Sequence, residues 1–537
     1  MSNTLFGIGL SGLKSSQIAL NTTSNNISNA YTEGYNRQIA NLTQTTTGVG
    51  VGVSGVERQY QQYLSTQLNQ AQSTDSALDA QLSQLTQIDN LMADSDASIA
   101  PLMQKFFSGL QTVADSPADT AARQSLLGDA EAMTAQFRSF SSYLDNMGES
   151  VESQMGTAVE EINNYADQVA KLNKQISLTE AKTGATANTL RDQRDQAITE
   201  LSQLANISVT IQDGKDYNVS VAGNVLVSGS DSYSLTMKAS DADPSRQVVA
   251  YVDSAGNASE LKESKLTGGT LGGLVQFRKD SLEPLQLKID QLAHDLAGRV
   301  NDVHVEGFDL DNQAGGAFFS GNSTPTVISN AKNSGTATVE ANFYEGHTVD
   351  EVAASNYSVK VVGGKYEVTS SSDGSVSTFD SASFKIGGLE VTVAGAPQEG
   401  DSFLIKPLSG AASTMDVAIT DPAKIAASSG EGTTDNRNAL KLADLQNEKS
   451  VNGDSTFNSA YAQIVSTVGN QTSTARINSE SQTSLVNELT VAQQSVSGVN
   501  LDEEAGNLLR YQQLYSANAQ VISTASKMFD TLLGITN

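Results

Sequence analysis

Apolar residues recur every seven positions at both ends of the chain. Near the start the ladder is Phe6, Leu13, Leu20 and Ile27, with Leu10 one turn after Phe6 and small residues (Gly9, Ser16, Thr23, Ala30) on the neighbouring line. At the far end it is Leu501, Leu508, Tyr515, Ile522 and Phe529, flanked by Tyr511, Asn518, Ala525 and Leu532. A seven-residue register puts one apolar stripe along a helix, and such a stripe needs a partner helix. The two terminal helices can meet only if the middle of the chain folds back between them. Short isolated helices are marginal in water, so the faces left over call for neighbouring copies. These fourteen residues, apart from the small line, are the candidate assembly interface. Asn518 on the inner line suits it, because a buried Asn fixes register.

Between the ladders the pattern alternates between helix and strand. From Leu64 a 3-4 spacing runs through Leu68, Ala71, Leu78, Leu82, Leu85 and Met92, in a helix expected to begin near Val56. A short segment with Phe106, Phe107, Leu110 and Val113 follows. Ser116-Pro117-Ala118-Asp119 then reads as a helix start, with a capping side chain and a proline in the first turn. The register behind it is the longest in the chain: Leu126, Ala130, Met133, Phe137, Phe140, Leu144, Met147, Val151, Met155, Ala158, Ile162, Tyr165, Val169, Leu172, Ile176. That is a rod of about 75–90 Å at 1.5 Å per residue. After a short helix around Leu190–Leu204, alternation in Val219-Ser220-Val221 and Val225-Leu226-Val227, with turns at Asp213-Gly214 and Gly223-Asn224, predicts a small β insertion. Helix returns from Leu282 to Val303. Strands such as Tyr357–Val361 and Leu389–Val393 then predict a two-sheet domain. From Phe457 the chain is expected to be helical to its end.

The fold class expected is mixed α and β and multidomain: terminal coiled-coil helices and a long helical rod, with β-rich insertions at the distal end. The expected domains are 1–60 with 497–537 as an axial core, and 61–205, 269–324 and 435–496 as the rod. Residues 206–268 are a small β insertion and 325–434 a β-rich outer domain.

Charge is unevenly placed. The formal net charge is −28; residues 1–64 carry +1 and residues 500–537 carry −2, which leaves −27 on residues 65–499. Near-neutral ends suit packing and an acidic body suits solvent. An acidic body argues against nucleic acid as partner. No apolar run approaches the ~20 residues that cross a bilayer, so no membrane insertion is expected. With Cys 0 in the composition, disulfides and thiolate metal sites are excluded.

The remaining chemistry is weak. Gly50, Gly52 and Gly55 spell G-x-G-x-x-G, with Asp75 twenty residues on, but no crossover helix of ordinary length or second buried strand follows. The glycines are read as a loop or hairpin. Asp309 and Asp311 could begin a calcium loop, yet the glycine due at position six is Ala314 and the terminal ligand falls on Ser320. A structural turn is the better reading. His294 and His304 lack an H-E-x-x-H frame, and no nucleophile elbow or phosphate loop is present. Neither enzyme activity nor a cofactor or metal is expected.

Two motifs carry a resemblance. Ala19-Leu20-Asn21-Thr22-Thr23-Ser24-Asn25-Asn26-Ile27-Ser28-Asn29-Ala30, then Gly34-Tyr35-Asn36-Arg37-Gln38, resembles the N-terminal signature of bacterial flagellar axial proteins. Ser497-Gly498-Val499-Asn500-Leu501-Asp502-Glu503-Glu504, then Leu509–Gln513 and Ser516–Val521, is similar to the hook-associated junction proteins within that family. The family commonly reads Asn-Thr-Pro-Gly-Tyr where this chain has Tyr31-Thr32-Glu33-Gly34-Tyr35. The resemblance implies a structural adaptor joining hook to filament, made of copies of the chain in a ring. It implies hook protein and a second junction protein on the filament side as partners, and a cytoplasmic export chaperone at about 490–537. It also implies an extracellular place in the flagellum, reached without a cleaved signal peptide. A hook or rod axial protein is the alternative within the family; a secreted adhesin relying on the β domains is the alternative outside it.

Overall fold

The computed structural model describes residues 2–536 apart from 46–48, 94–97, 213–215, 322–323 and 431. The predicted turn at Asp213-Gly214 therefore lies outside the described residues. Helix α1 (Ser2–Ser28) leads into a hairpin of β1 (Gln38–Gln44) and β2 (Val51–Arg58). The glycine-rich run is thus strand and turn. It holds β structure through Arg58, so the next helix, α2 (Gln62–Ala93), starts later than the heptad pattern around Val56 suggests.

The rod consists of α2, α3 (Ile99–Asp115), α4 (Thr120–Thr183) and α5 (Asn188–Leu204). At 64 residues, α4 is about 96 Å long. Its apolar register is buried from Leu126 to Ile176 except for half-buried Tyr165. Its cap is Asp119, whose carboxylate accepts the Ala121 N–H. Ser116 instead closes α3, so Pro117 sits in the connection and not in a first turn. Asp119 is one residue before the helix and in extended conformation, the geometry a capping side chain needs.

The small insertion is a four-stranded sheet, β3 (Ile207–Gln212), β4 (Asp216–Val221), β5 (Asn224–Ser228) and β6 (Asp231–Ser232), and a three-stranded one, β7 (Ser234–Ala239), β8 (Gln247–Val252) and β9 (Ala258–Glu260). Its inward residues Val219, Leu226, Leu235 and Val249 belong to the same apolar cluster as the rod helices. Helix α6 (Gly269–Phe277) runs through a π-helical turn at Arg278–Leu282 into α7 (Glu283–Val305). The buried Arg278 side chain sits at that turn, paired to Glu263 at 2.6 Å and Glu152 at 3.3 Å.

Beyond β10 (Phe319–Ser320) comes the outer domain. One sheet contains β11 (Thr326–Ser329), β13 (Tyr357–Val362), β14 (Lys365–Ser370), β15 (Val376–Phe379) and β18 (Ser402–Lys406); the other contains β12 (Thr338–Phe343), β16 (Ser383–Ile386) and β17 (Leu389–Ala394). Strict alternation aims Leu389, Val391 and Val393 inward from β17, while Glu390 and Thr392 face out. This domain has its own apolar core, separate from that of the rod. The chain returns through α8 (Ala411–Thr414), β19 (Asp416–Val417), which pairs with β10, and α9 (Arg437–Asp444).

Helix α10 (Phe457–Ser497) runs back along α2, and α11 (Leu501–Thr536) packs on α1. The expected unbroken C-terminal helix is divided, because Gly498 takes extended angles and Asn500 begins a new helix. The Asn500 side-chain oxygen accepts the N–H groups of Asp502 at 3.0 Å and Glu503 at 3.2 Å.

A candidate assembly interface at the paired termini

Three pairs fix the antiparallel register of α1 on α11. Gly9 lies against Ile522, Gly12 against Asn518, and Asn26 hydrogen-bonds to Glu504. The buried side of α1 is Gly9, Gly12, Ser15, Ser16, Ala19, Thr22, Thr23 and Asn26, almost without apolar side chains. Small residues let two helix backbones approach closely, and a Cβ on Gly9 would stand 2.7 Å from the Ile522 side chain. The same helix holds the hairpin: the Ser15 hydroxyl donates to the Val51 carbonyl at 3.0 Å, and the Val51 N–H donates to the Ser11 hydroxyl at 3.3 Å.

On α1 the apolar ladder therefore lies outside the intrachain seam, whereas on α11 Asn518, Ile522 and Ala525 contribute to it. Phe6 and Leu10 are exposed, and Leu13, Leu20 and Ile27 are half-buried along its edge. On α11, Leu501, Tyr515 and Phe529 are exposed, while Leu508, Tyr511, Asn518 and Ile522 are half-buried. Ala525 alone among the proposed α11 residues is buried, at 3% exposure. Leu532 lies in α11 with a side chain outside those described. Leu5, Ile8, Ile18, Leu509, Leu514, Val521 and Met528 widen the exposed apolar surface beyond the seven-residue ladders. The unsatisfied hydrophobicity stands on the outer faces of the helix pair.

A polar clamp locks the seam where α1 ends and α11 begins. Glu504 is 2% exposed and accepts Arg37 Nε at 2.9 Å and the Asn26 amide at 3.1 Å. Arg37 also reaches Glu503 at 2.8 Å. The Asn26 side-chain oxygen accepts the Tyr35 hydroxyl at 2.8 Å and the Gln38 N–H at 3.0 Å. Burial, with Asp192 and Glu504 adding negative charge, pushes the Tyr35 phenol up to about 12, so it stays a donor. The Arg37 N–H donates to the Ser497 carbonyl at 2.8 Å, fastening the same loop to the end of α10.

A second cluster ties the base of the hairpin to the rod. Arg58 bridges Asp192 at 2.7 Å and Asp195 at 2.8 Å, and the Asn36 amide donates to Asp192 at 2.7 Å. Burial outweighs the pull of Arg58 and holds both carboxyls above their ordinary range. The clamp residues Asn26, Tyr35, Arg37, Gln38, Glu503 and Glu504 all lie in the two quoted motifs, but nothing in the local pattern announces that they meet. Opposite charges in two otherwise near-neutral ends were the available signal.

At the other site weighed, the Lys424 ammonium stands between Asp309 at 3.0 Å and Asp311 at 2.9 Å, while Asp309 also accepts the N–H groups of Asp311 and Gln313. The loop is a turn with a lysine where a calcium loop holds its ion. His304 is wholly buried, with Nδ1 against the Gly316 carbonyl at 2.7 Å and Nε2 accepting the Ala426 N–H at 2.8 Å. No group of three or more metal-ligating residues is found among the described residues, and no described helix is long and apolar enough to cross a membrane.

A helical rod, β insertions and paired terminal helices clamped through these motifs define a flagellar axial protein. Family models match at both ends, as a flagella basal body rod protein over residues 6–36 and as the C-terminal part of the flagellar basal body rod FlgEFG proteins over 492–535. The middle matches the helical domain of flagellar hook-associated protein FlgK over 85–319 and the D2-like domain of flagellar hook-associated protein 1 over 328–407. Flagellar hook-associated protein 1 of Salmonella typhimurium is 42% identical, covering 99% of this chain and 100% of that protein. The Escherichia coli protein of that name is also 42% identical with the same coverage. The solved flagellar hook junction protein FlgK from Burkholderia pseudomallei superposes with a TM-score of 0.75 at 29% identity, covering 80% of this chain and 100% of that one. The chain belongs to the flagellar hook-associated protein 1 family.

Proposed function

We propose that the protein is the structural adaptor between hook and filament, and that copies of it pack side by side through the outer faces of α1 and α11. The observation that carries this is the division of labour on those helices. Small residues and a buried ion pair join them within one chain, while Phe6, Leu10, Leu509, Leu514, Tyr515, Met528 and Phe529 are left toward solvent. So many large apolar residues left exposed on one helix pair mark an interaction site. Closure of such head-to-tail contacts gives a ring, with hook protein below and the second junction protein above.

Before assembly the same surface is a liability in the cytoplasm. A chaperone covering about 490–537 would shield it during export through the growing flagellum. The axial family supports this reading, as do the exposed residues of α11. The domain division is 1–60 with 497–537, a rod, a small β insertion and an outer β domain, and only the first of these carries assembly in this account.

The test is localisation. Fluorescently labelled protein should sit as one spot at the hook–filament boundary. Uniform labelling of hook or filament would contradict the adaptor reading.

A further inference from the structure

The outer domain is mounted on the rest of the chain at three places of different chemistry. Its root is pinned: β10 pairs with β19 through Phe319 with Val417 and Ser320 with Asp416, and the Thr414 hydroxyl donates to the Gly321 carbonyl at 3.1 Å. At that pin, Gly321 (φ 86°) and Gly410 (φ 79°) take left-handed angles where the chain enters and leaves the domain, and both carbonyls accept from Thr414. Such positions are natural hinges.

The second place is an apolar pad on α7. Val349 and Val352 are buried, with Val349 seated over Gly298. The Gln291 amide donates to the Val352 carbonyl at 3.2 Å, and the His294 and Phe343 rings lie 5.5 Å apart.

The third place is ionic and lies on the small β insertion. Lys332 reaches Asp241 at 2.6 Å and Lys406 reaches Asp243 at 2.5 Å. The Ala331 N–H donates to the Asp241 carbonyl at 2.7 Å. Asp241 is already paired to Lys238 of its own hairpin at 2.7 Å, so it keeps a counter-ion when Lys332 leaves. Lys332 is 68% exposed. An exposed group such as the Lys332 ammonium makes a weak pair that salt screens, while the Lys406–Asp243 pair, at 22% and 10% exposure, is more sheltered and is screened less. The two apolar cores on either side are separate, so no shared core holds this edge shut.

We infer that Lys332 and Lys406 form an ionic latch on Asp241 and Asp243, whose release lets the outer domain rock on its α7 pad about Gly321 and Gly410. Opening exchanges two ion pairs and the Ala331–Asp241 backbone bond for contacts with solvent, so ionic conditions bias the two positions. The outer domain is then a compliant part of the molecule, while the rod and the terminal clamp stay fixed.

The chain contains no cysteine, so two introduced ones can be labelled cleanly. Ser254→Cys on the insertion and Ser372→Cys on the outer domain, both at exposed turns, carry spin labels in the full-length monomer. At low salt the distance distribution should be narrow. At 1 M NaCl, where the screening length is about 3 Å, a second population at longer distance should appear. Lys332→Ala with Lys406→Ala should show that second population already at low salt, with no further response to salt. Lys365→Ala, which removes a surface pair within the outer domain (Lys365–Asp380, 2.8 Å), should behave as wild type. Far-UV circular dichroism and outer-domain melting confirm that each variant is folded. A distribution that stays narrow at 1 M NaCl, or a folded double-lysine variant indistinguishable from wild type, overturns the latch.

Discussion

A methyl group placed on Gly12 would stand 2.2 Å from the side-chain oxygen of Asn518. This contact opposes what helix propensity alone gives for a substitution there. Glycine to alanine stabilises an exposed helix by up to about 1 kcal/mol. At Gly12 a methyl must displace the Asn518 amide from its hydrogen bond to the Leu514 carbonyl at 2.8 Å, a loss of about 0.5–1.5 kcal/mol that offsets the gain, so Gly12→Ala should loosen the Asn518 contact between α1 and α11. A methyl on Gly7 would meet nothing within 4 Å, so Gly7→Ala should tighten α1 instead. Hydrogen exchange of the α1 amides reads both: faster in Gly12→Ala, unchanged or slower in Gly7→Ala.

The clamp makes a separate prediction. Arg37→Ala leaves the buried Glu504 carboxylate with the Asn26 amide as its remaining side-chain partner. An uncompensated buried charge costs about 3 kcal/mol or more, so the start of α11 should open and become sensitive to protease. Glu504→Ala should do less, since Arg37 is 19% exposed and keeps Glu503. The double variant Arg37→Ala with Glu504→Ala should be less damaged than the two single effects added together. Strict additivity would mean that the pair does not act as one clamp.

His304 predicts the acid limb of stability. Burial holds its imidazole below the ordinary 6.5, with Arg123 adding to that effect. The neutral ring both meets Gly316 and accepts from Ala426, and a proton on Nε2 would end the second bond. A depressed folded pKa means that the contribution is complete above the unfolded value and declines as pH falls below about 6.5. His304→Gln should cost about 1–3 kcal/mol at pH 7.5 and lose less than wild type between pH 7.5 and 5. Equal losses in denaturant titrations at the two pH values would remove His304 from the acid response.

The apolar register from Leu126 to Ile176 made α4 readable because one helix packs the same face for its whole length. The α3–α4 join was harder, since Ser116 and Asp119 are both capping residues and only the backbone angles choose Asp119. Helix α6 begins with Gly269 and contains Gly272 and Gly273, residues that argue against helix until its packing is known. The break at Gly498 is equally silent in a pattern that continues on both sides. At the termini the ladders identified two helices that pack on each other, while the α1 side of their seam is lined by Gly9, Gly12 and Thr23, small residues that a search for apolar positions passes over. Lys424 could not be foreseen beside Asp311, 113 residues away in the chain.

The outward apolar residues of α1 and α11 are expected to serve assembly and not the folding of one chain. Ile522 is a poor probe because it also packs on Gly9. Leu509, at 61% exposure, and Phe529, at 48%, are left toward solvent in the single chain. The most direct measurement is the paired readout for Leu509→Asp with Phe529→Asp: melting of the purified monomer, and filament growth in cells producing the variant. Val376→Asp, on an outer-domain strand with 60% exposure, is the control and should be normal in both. A carboxylate trapped in an apolar contact between copies costs several kcal/mol. The double variant should keep the monomer melting temperature and build no filaments, with filament protein released into the medium. Motile cells with ordinary filaments, or a monomer whose melting temperature falls sharply, would contradict that expectation.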